Sequence, residues 1–276
     1  MSASSVEASA SIRAGPPIAK RVSVLRGTFS VHSTPEIDAS DISHQRNMFP
    51  GFSPEALKFL RGLERNNRRE WFQPRKEIFD THLKDRMVEL VEAINAELLR
   101  FAPDHITDPK KAIYRIYRDT RFSADKTPYK THIGAIFPNR NLGKQSSAGF
   151  YFHITAKRVG IAAGSYMPGP DELKPVRAWL AENHAAFRQA SKKPQKLLGK
   201  LQGSSVTRMP KGFASEHPAE DLIRMKQWLY WVELDVNLAA TPRLLPELVK
   251  RFRAAAPVIQ MLNTPLTRSP RPTSLF

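Results

Sequence analysis

Cysteine is absent from the sequence, which excludes disulfides, thiolate metal sites and a cysteine nucleophile and fits a reducing compartment. No apolar run approaches the roughly 18–20 residues that a membrane span requires, and the N-terminus lacks the uninterrupted apolar stretch of a secretory signal. There is no P-loop, GxGxxG, GxSxG or HRD sequence, so the standard nucleotide, hydrolase and kinase fingerprints are missing. HxH, HExxH and carboxylate triplets at ligand spacing are missing too, and no metal site is expected. The expectation is a soluble, cytoplasmic protein without a membrane partner.

Negative charge is also scarce. In 276 residues, 26 Asp and Glu stand against 43 Lys and Arg, a formal net charge of +17. Residues 1–47 contribute only +1 of it, through five basic and four acidic residues, so the remainder of the chain carries +16. Such a surface attracts polyanions at long range, whether nucleic acid, anionic lipid or phosphorylated metabolites.

What is present sorts into segments. Residues 1–47 are rich in Ser and Ala without a period of two or 3.6 and read as a disordered extension. Whether they are a targeting segment or an over-extended start stays open. Ser53-Pro54-Glu55 is a helix start, and Phe52, Leu57, Leu60 and Leu63 follow at helical spacing. A long helix is expected over about 75–101, with Leu83, Met87, Leu90, Ile94 and Leu98 on one stripe. The period then changes: Ile113–Tyr117, Thr131–Phe137, Gly149–Thr155 and Val159–Gly164 read as strands. A helix follows from Pro170 to about Asn183, continuing weakly through Phe187. Residues 192–211 hold six Lys and Arg and no acid, around a short strand at 205–208. A short helix near 219–225, a strand at Trp228–Leu234 and a last helix over about 242–262 complete the pattern. The expected class is α+β, a single domain over 48–263 with a mainly antiparallel sheet flanked by helices and a loose tail at 264–276.

The stretch from Arg115 to Lys130 is the most informative. It packs five cations (Arg115, Arg118, Arg121, Lys126, Lys130), Asp119, Asp125 and three aromatics into sixteen residues. Arginine forks give bidentate contacts to phosphate or carboxylate, so such a loop can gather several cations around one anion. The competing reading is internal: Asp119 and Asp125 neutralise the arginines and pin the loop. Asn66 and Asn67, just before Trp71-Phe72, are candidates for orienting a ligand, or else a polar turn ahead of core aromatics. Tyr151 and His153 share a strand face and, with Asp119, are the candidates for proton handling. His132 lies on the strand before them. Lys211, in a tight loop at 209–213, is a further ligand-binding candidate.

Taken together, NNRREWF, RIYRDTRFSADKTPYKTHIGAIF, AGFYFHI, AAGSYMPGPDELKPVR and PKGF followed by LIRMKQW resemble the bacterial and fungal family known as domain of unknown function 2461. The resemblance covers about Phe49–Asn263, and its central RxxRDxRFSxDKxPYK run is specific. It implies a boundary, supports treating 1–47 as an extension and carries over no catalytic residue or cofactor.

Three functions are compatible with these residues. The first is binding, or processing, of a phosphorylated or other anionic small molecule through residues 115–130. The second is non-specific nucleic-acid binding through the 192–211 tract, with Trp228, Tyr230 and Trp231 stacking bases if exposed. The third is a structural role in which the motif is a salt-bridge network. Cofactor, oligomeric state and the occurrence of a reaction are left open.

Overall fold

The computed structural model describes residues 49–143 and 146–268. The extension expected over 1–47, and residues 269–276 of the expected tail, lie outside the described residues. The chain is α+β: helices enclose a four-stranded antiparallel sheet in the order β1 (His132–Phe137), β2 (Gly149–Thr155), β3 (Arg158–Ser165), β4 (Trp228–Asp235). β1, β2 and β3 follow one another at short spacing and pair as a meander, whereas β4 returns to β3 only after the helical stretch between Ser165 and Trp228.

Before the sheet come α1 (Pro54–Arg65) and a broken helical run. The Oγ of Ser53 accepts the Ala56 N–H at 3.2 Å and caps α1, whose Leu57, Leu60 and Leu63 are buried. A short helix, α2 (Arg69–Phe72), precedes α3 (Lys76–Phe79), which continues through a π-helical turn at Asp80–Lys84 into α4 (Asp85–Leu98), the run from Lys76 to Leu98 corresponding to the helix expected over about 75–101. Pro74, which cannot donate a backbone hydrogen bond, falls within the 3₁₀ turn Gln73–Arg75 that separates the first two pieces. The predicted stripe from Leu83 to Leu98 is fully buried throughout. A single turn, α5 (Pro109–Ala112), leads to the sheet region.

After β3, α6 (Pro170–Leu198) runs well past the end expected near Asn183–Phe187. Asn183 leaves helical geometry at φ −115°, and its Nδ2 donates to the Trp179 carbonyl at 2.8 Å, producing a kink rather than a stop. Buried Phe187 and Leu198 carry the second half until Gly199, at φ +84°, ends it. The short strand expected at 205–208 is absent as a ladder. Only isolated bridges, Gln202 to Leu229 and Ser205 to Met225, tie that segment down. Then come α7 (Glu220–Arg224) and, after β4, α8 (Leu244–Arg268). The last helix continues six residues beyond 262, so residues 264–268 of the tail expected to be loose are helical.

Period-two alternation gives the sheet two faces. One is dry: Phe137, Phe150, Phe152, Ile161 and Tyr230 are buried on it, and the Phe252 ring of α8 packs 4.9 Å from Phe150 and 5.9 Å from Phe137. These residues belong to one core cluster that extends from Phe49 to Leu262. The other face carries His132, Gly134, Tyr151, His153, Gly160, Ala162 and Trp231, and its rings are half-buried.

The strand expected at Ile113–Tyr117 is corrected. Only the bridge from Ile113 to Ala135 and the Tyr114 N–H to the Gly134 carbonyl (3.0 Å) attach it to β1. It then turns away to pair with the far end of its own loop, through Arg118 N–H to Pro128 O (2.9 Å) and Lys130 N–H to Ile116 O (2.8 Å). Closing that loop draws the residues out of register with β1.

Candidate functional site

The five cations of residues 115–130 are not equivalent. Arg118, three-quarters buried, donates to the Asp125 carboxylate and the Thr127 hydroxyl, and reaches Ser123 Oγ at 3.4 Å. The Thr127 N–H on its other oxygen, then Arg118 and the Thr127 hydroxyl, hold Asp125 down at about 2. Arg121 forks onto Asp119 at 2.7 and 3.0 Å, with its side chain 77% exposed. Lys126 donates to the Thr120 carbonyl at 2.9 Å, and Lys130 to the Arg115 and Tyr117 carbonyls. Two acids and three carbonyls thus take four of the cations. Arg115 makes no ion pair among the described residues, although its charge reaches both Asp119 and Lys130.

Two distant motifs anchor this loop. Asn67 donates Nδ2 to the Tyr129 carbonyl at 2.8 Å and accepts the Tyr129 N–H at 3.1 Å. The Phe72 ring stacks on Tyr129 at 4.1 Å with an interplanar angle of 17°. Asn66 bonds back to the Gly62 carbonyl. Both amides are therefore engaged by backbone. Lys211 is exposed in a separate turn, and among the described residues no hydrogen bond or ion pair joins it to residues 115–130.

The second sheet face adjoins the loop at the β1 edge. Lys130 Nζ lies 5.9 Å from the Tyr114 ring centre, and Tyr114 is 6.1 Å from Tyr151. Tyr151 Oη and His153 Nδ1 share a 3.1 Å hydrogen bond. The His153 ring sits 5.1 Å from His132 and 5.4 Å from Trp231. Glycine makes this possible. A Cβ at Gly160 would lie 2.6 Å from His153 Cε1 and 2.9 Å from Trp231 Cη2, so both rings settle onto bare backbone. Gly134 gives the same room to the Tyr151 hydroxyl, 3.2 Å from where a Cβ would stand.

Electrostatics follow from burial. His132 is pushed down to about 4 by burial first, then by His153 and Lys130. Burial lowers His153 and raises Tyr151 and Tyr114. At neutral pH the hydrogen-bonded pair is therefore an uncharged phenol and an uncharged imidazole, able to pass a proton without carrying net charge. Lys130 is lowered by burial and by repulsion from Arg115 and Arg118.

The structure thus joins Tyr151 to His153 and places Lys130 beside the Tyr114 ring that meets Tyr151, with the Arg115 charge in reach of Lys130. It engages Arg118, Arg121, Asp119, Asp125 and Lys126 within the loop, and leaves Asn66, Asn67 and Lys211 in other roles. Tyr114 and Gly160 were overlooked by residue-type reasoning. The available signal was alternation, since Gly160 pairs with His153 across the β2–β3 ladder. Of the aromatics considered for base stacking, Trp228 and Tyr230 are fully buried, and Trp228 Nε1 donates to the Leu222 carbonyl. Only Trp231 reaches the second face. Among the described residues no group of three or more His, Asp or Glu side chains is placed to hold a metal ion, and no helix is long and apolar enough to cross a membrane.

The family model described as conserved hypothetical protein (DUF2461) matches residues 55–261. The chain belongs to this family. The match takes in the loop, both sheet faces and most of α8, leaving the extension outside. No curated protein and no solved structure matches the chain.

Proposed function

We propose that this DUF2461 protein binds a small anionic molecule where the basic loop meets the second sheet face. Arg115 and Lys130 hold the anion, and the Tyr151–His153 pair contacts the body of the ligand and exchanges protons with it. The observation that supports this is the uncompensated charge at Arg115. Arg115 is exposed and has no acidic partner within ion-pair distance among the described residues, and its repulsion, after burial, adds to what disfavours the Lys130 ammonium. An anion between them would relieve that repulsion, whereas a purely structural network would have supplied an acid. The rings of Tyr114, Tyr151 and Trp231 favour a ligand that carries its anion on a ring-bearing or otherwise apolar body. In this reading the internal pairing of the largely buried Arg118 serves to hold the loop, while Arg121 is neutralised by Asp119 in solvent. A cytoplasmic setting belongs to the same proposal and is compatible with a cysteine-free chain.

The test is a titration with phenyl phosphate, with inorganic phosphate and sodium chloride as controls, followed through the ring resonances of His132 and His153. Saturable shifts with phenyl phosphate, weakened about tenfold or more in Arg115→Ala, are the expected result, since a charge-assisted contact is involved. Shifts that track ionic strength alone would overturn the reading. Tight oligonucleotide binding that depends on the exposed lysines of 192–211 would promote nucleic acid in its place.

A further inference from the structure

A cleft opens on the dry-face side of the sheet, between the 3₁₀ turn Pro103–His105, the residues after β1 and the last turns of α8. Phe101, Phe150, Ala256 and Ile259 supply apolar walls. His105 and Asn139 line the cleft as well, although each is more than nine-tenths buried. Two hydrogen bonds set them on one wall: His105 Nδ1 meets the Phe137 carbonyl at 3.0 Å, and the Arg140 N–H meets the Asp104 carbonyl at 2.8 Å.

Each side chain leaves one polar atom unused. A carbonyl oxygen only accepts, so His105 Nδ1 carries its proton and Nε2 presents a lone pair. Burial keeps His105 below the usual histidine range, in agreement with a neutral ring. The Asn139 Oδ1 accepts the Asn141 N–H at 2.9 Å, leaving Nδ2 as a donor. Neither Nε2 nor Nδ2 has a hydrogen-bond partner among the described residues. Both atoms stay open to the cleft and are not sealed from solvent, and an acceptor and a donor offered from one wall by otherwise buried side chains point to a ligand that completes both.

We infer that this cleft binds a carboxamide or lactam group, whose N–H is accepted by His105 Nε2 and whose C=O accepts from Asn139 Nδ2. A carboxylate has no proton to offer His105 and would set acceptor against acceptor at Nε2. An ammonium would leave Asn139 unanswered. The chemistry is therefore neutral, in a protein of formal charge +17, and the site is independent of the anion site proposed above.

The test uses three probes of matched size: butyramide, butyrate and butylammonium. Each is titrated into the full chain while the ¹⁵N resonance of His105 Nε2 is followed. Butyramide should give a saturable shift in the millimolar range expected of so small a ligand, and the two ions should not at the same concentration. Asn139→Asp keeps the Oδ1 acceptor but replaces the donor with a second acceptor. It should lose butyramide about tenfold or more and gain butylammonium, because the wall then offers two acceptors. Butyrate or butylammonium binding the native chain as well as butyramide would overturn the inference. So would a butyramide response that never saturates, or unchanged butyramide affinity in Asn139→Asp. Should that variant fold poorly, the native titration alone decides between these outcomes.

Discussion

Asn67 and Tyr129, 62 residues apart in the chain, are joined by a two-point hydrogen bond in which a side-chain carboxamide imitates a neighbouring strand. It completes the N–H and C=O of a residue whose ring is already stacked on Phe72. The basic loop is thereby fixed to the N-terminal helices at its closing end, directly before Lys130.

Replacing Asn67 with Ala removes both bonds and leaves two backbone groups to find other partners. A loss of about 1–3 kcal/mol in urea unfolding is expected, the range for one or two hydrogen bonds lost at a part-buried site. An unchanged midpoint would mean that the clamp is replaced by solvent without cost.

Within the loop, the two arginines bearing acids should separate. Arg118→Ala deprives Asp125 and Thr127 of a shared, largely buried partner and should lower Tm by about 2–4 °C, a hydrogen-bond-sized effect for a domain of this length. Arg121→Ala removes a pair standing in solvent and should leave the melt unchanged. Equal effects would contradict the division of roles.

Gly160→Ala should act through a ring. The new Cβ would arrive 2.6 Å from His153 Cε1 and 2.8 Å from Nε2. The imidazole must lift off the sheet, breaking the bond to Tyr151 and exposing His153. The ring resonances of His153 should move and its titration rise toward the ordinary range, even where the fold survives. An unmoved His153 would show that the backbone had yielded instead.

Acid stability should decline in two stages. His132 titrates near 4 in the fold against about 6.5 when unfolded, so the unfolded chain binds the extra proton as pH falls through that interval. Stability is therefore lost between about 6.5 and 4, with His153 shifted in the same sense. Asp125, held down at about 2, adds a later loss below its ordinary value near 3.8. Thermal melts across about pH 2–7 should show both stages, and His132→Gln should flatten the upper one while sparing the lower.

The sequence revealed the elements whose periods are strong. The stripe from Leu83 to Leu98 and the alternation of Phe150, Phe152 and Ile154 follow directly from burial on one side. It misjudged Ile113–Tyr117 because aromatic and β-branched content signals an extended backbone without naming its partner. That partner turned out to be the segment's own loop. Asn183 was read as an ending because its polarity breaks the stripe, whereas buried Phe187 and Leu198 hold the helix together beyond the kink. The dense motif was legible as chemistry but not as bookkeeping of charge, since lysines 126 and 130 are taken by carbonyls that composition does not display. The ring cluster around His153 depends on which glycine lies across the ladder, and the placing of His105 with Asn139 on the bonds His105 to Phe137 and Arg140 to Asp104, far apart in the chain. Register and tertiary proximity of this kind leave no local signature.

Both outer strands of the sheet have company along part of their length. The residues at Ile113–Tyr114 lie against β1, and Gln202 exchanges two backbone hydrogen bonds with Leu229 of β4, at 2.7 and 3.0 Å. Open edges recruit strands from other molecules, and irregular segments that occupy them block that route without lengthening the sheet. The practical consequence concerns concentrated solutions: aggregation by edge-to-edge addition should require these flanking segments to detach first. Shielding of this kind lets a small sheet keep one face wet and ringed with aromatics without growing into fibrils.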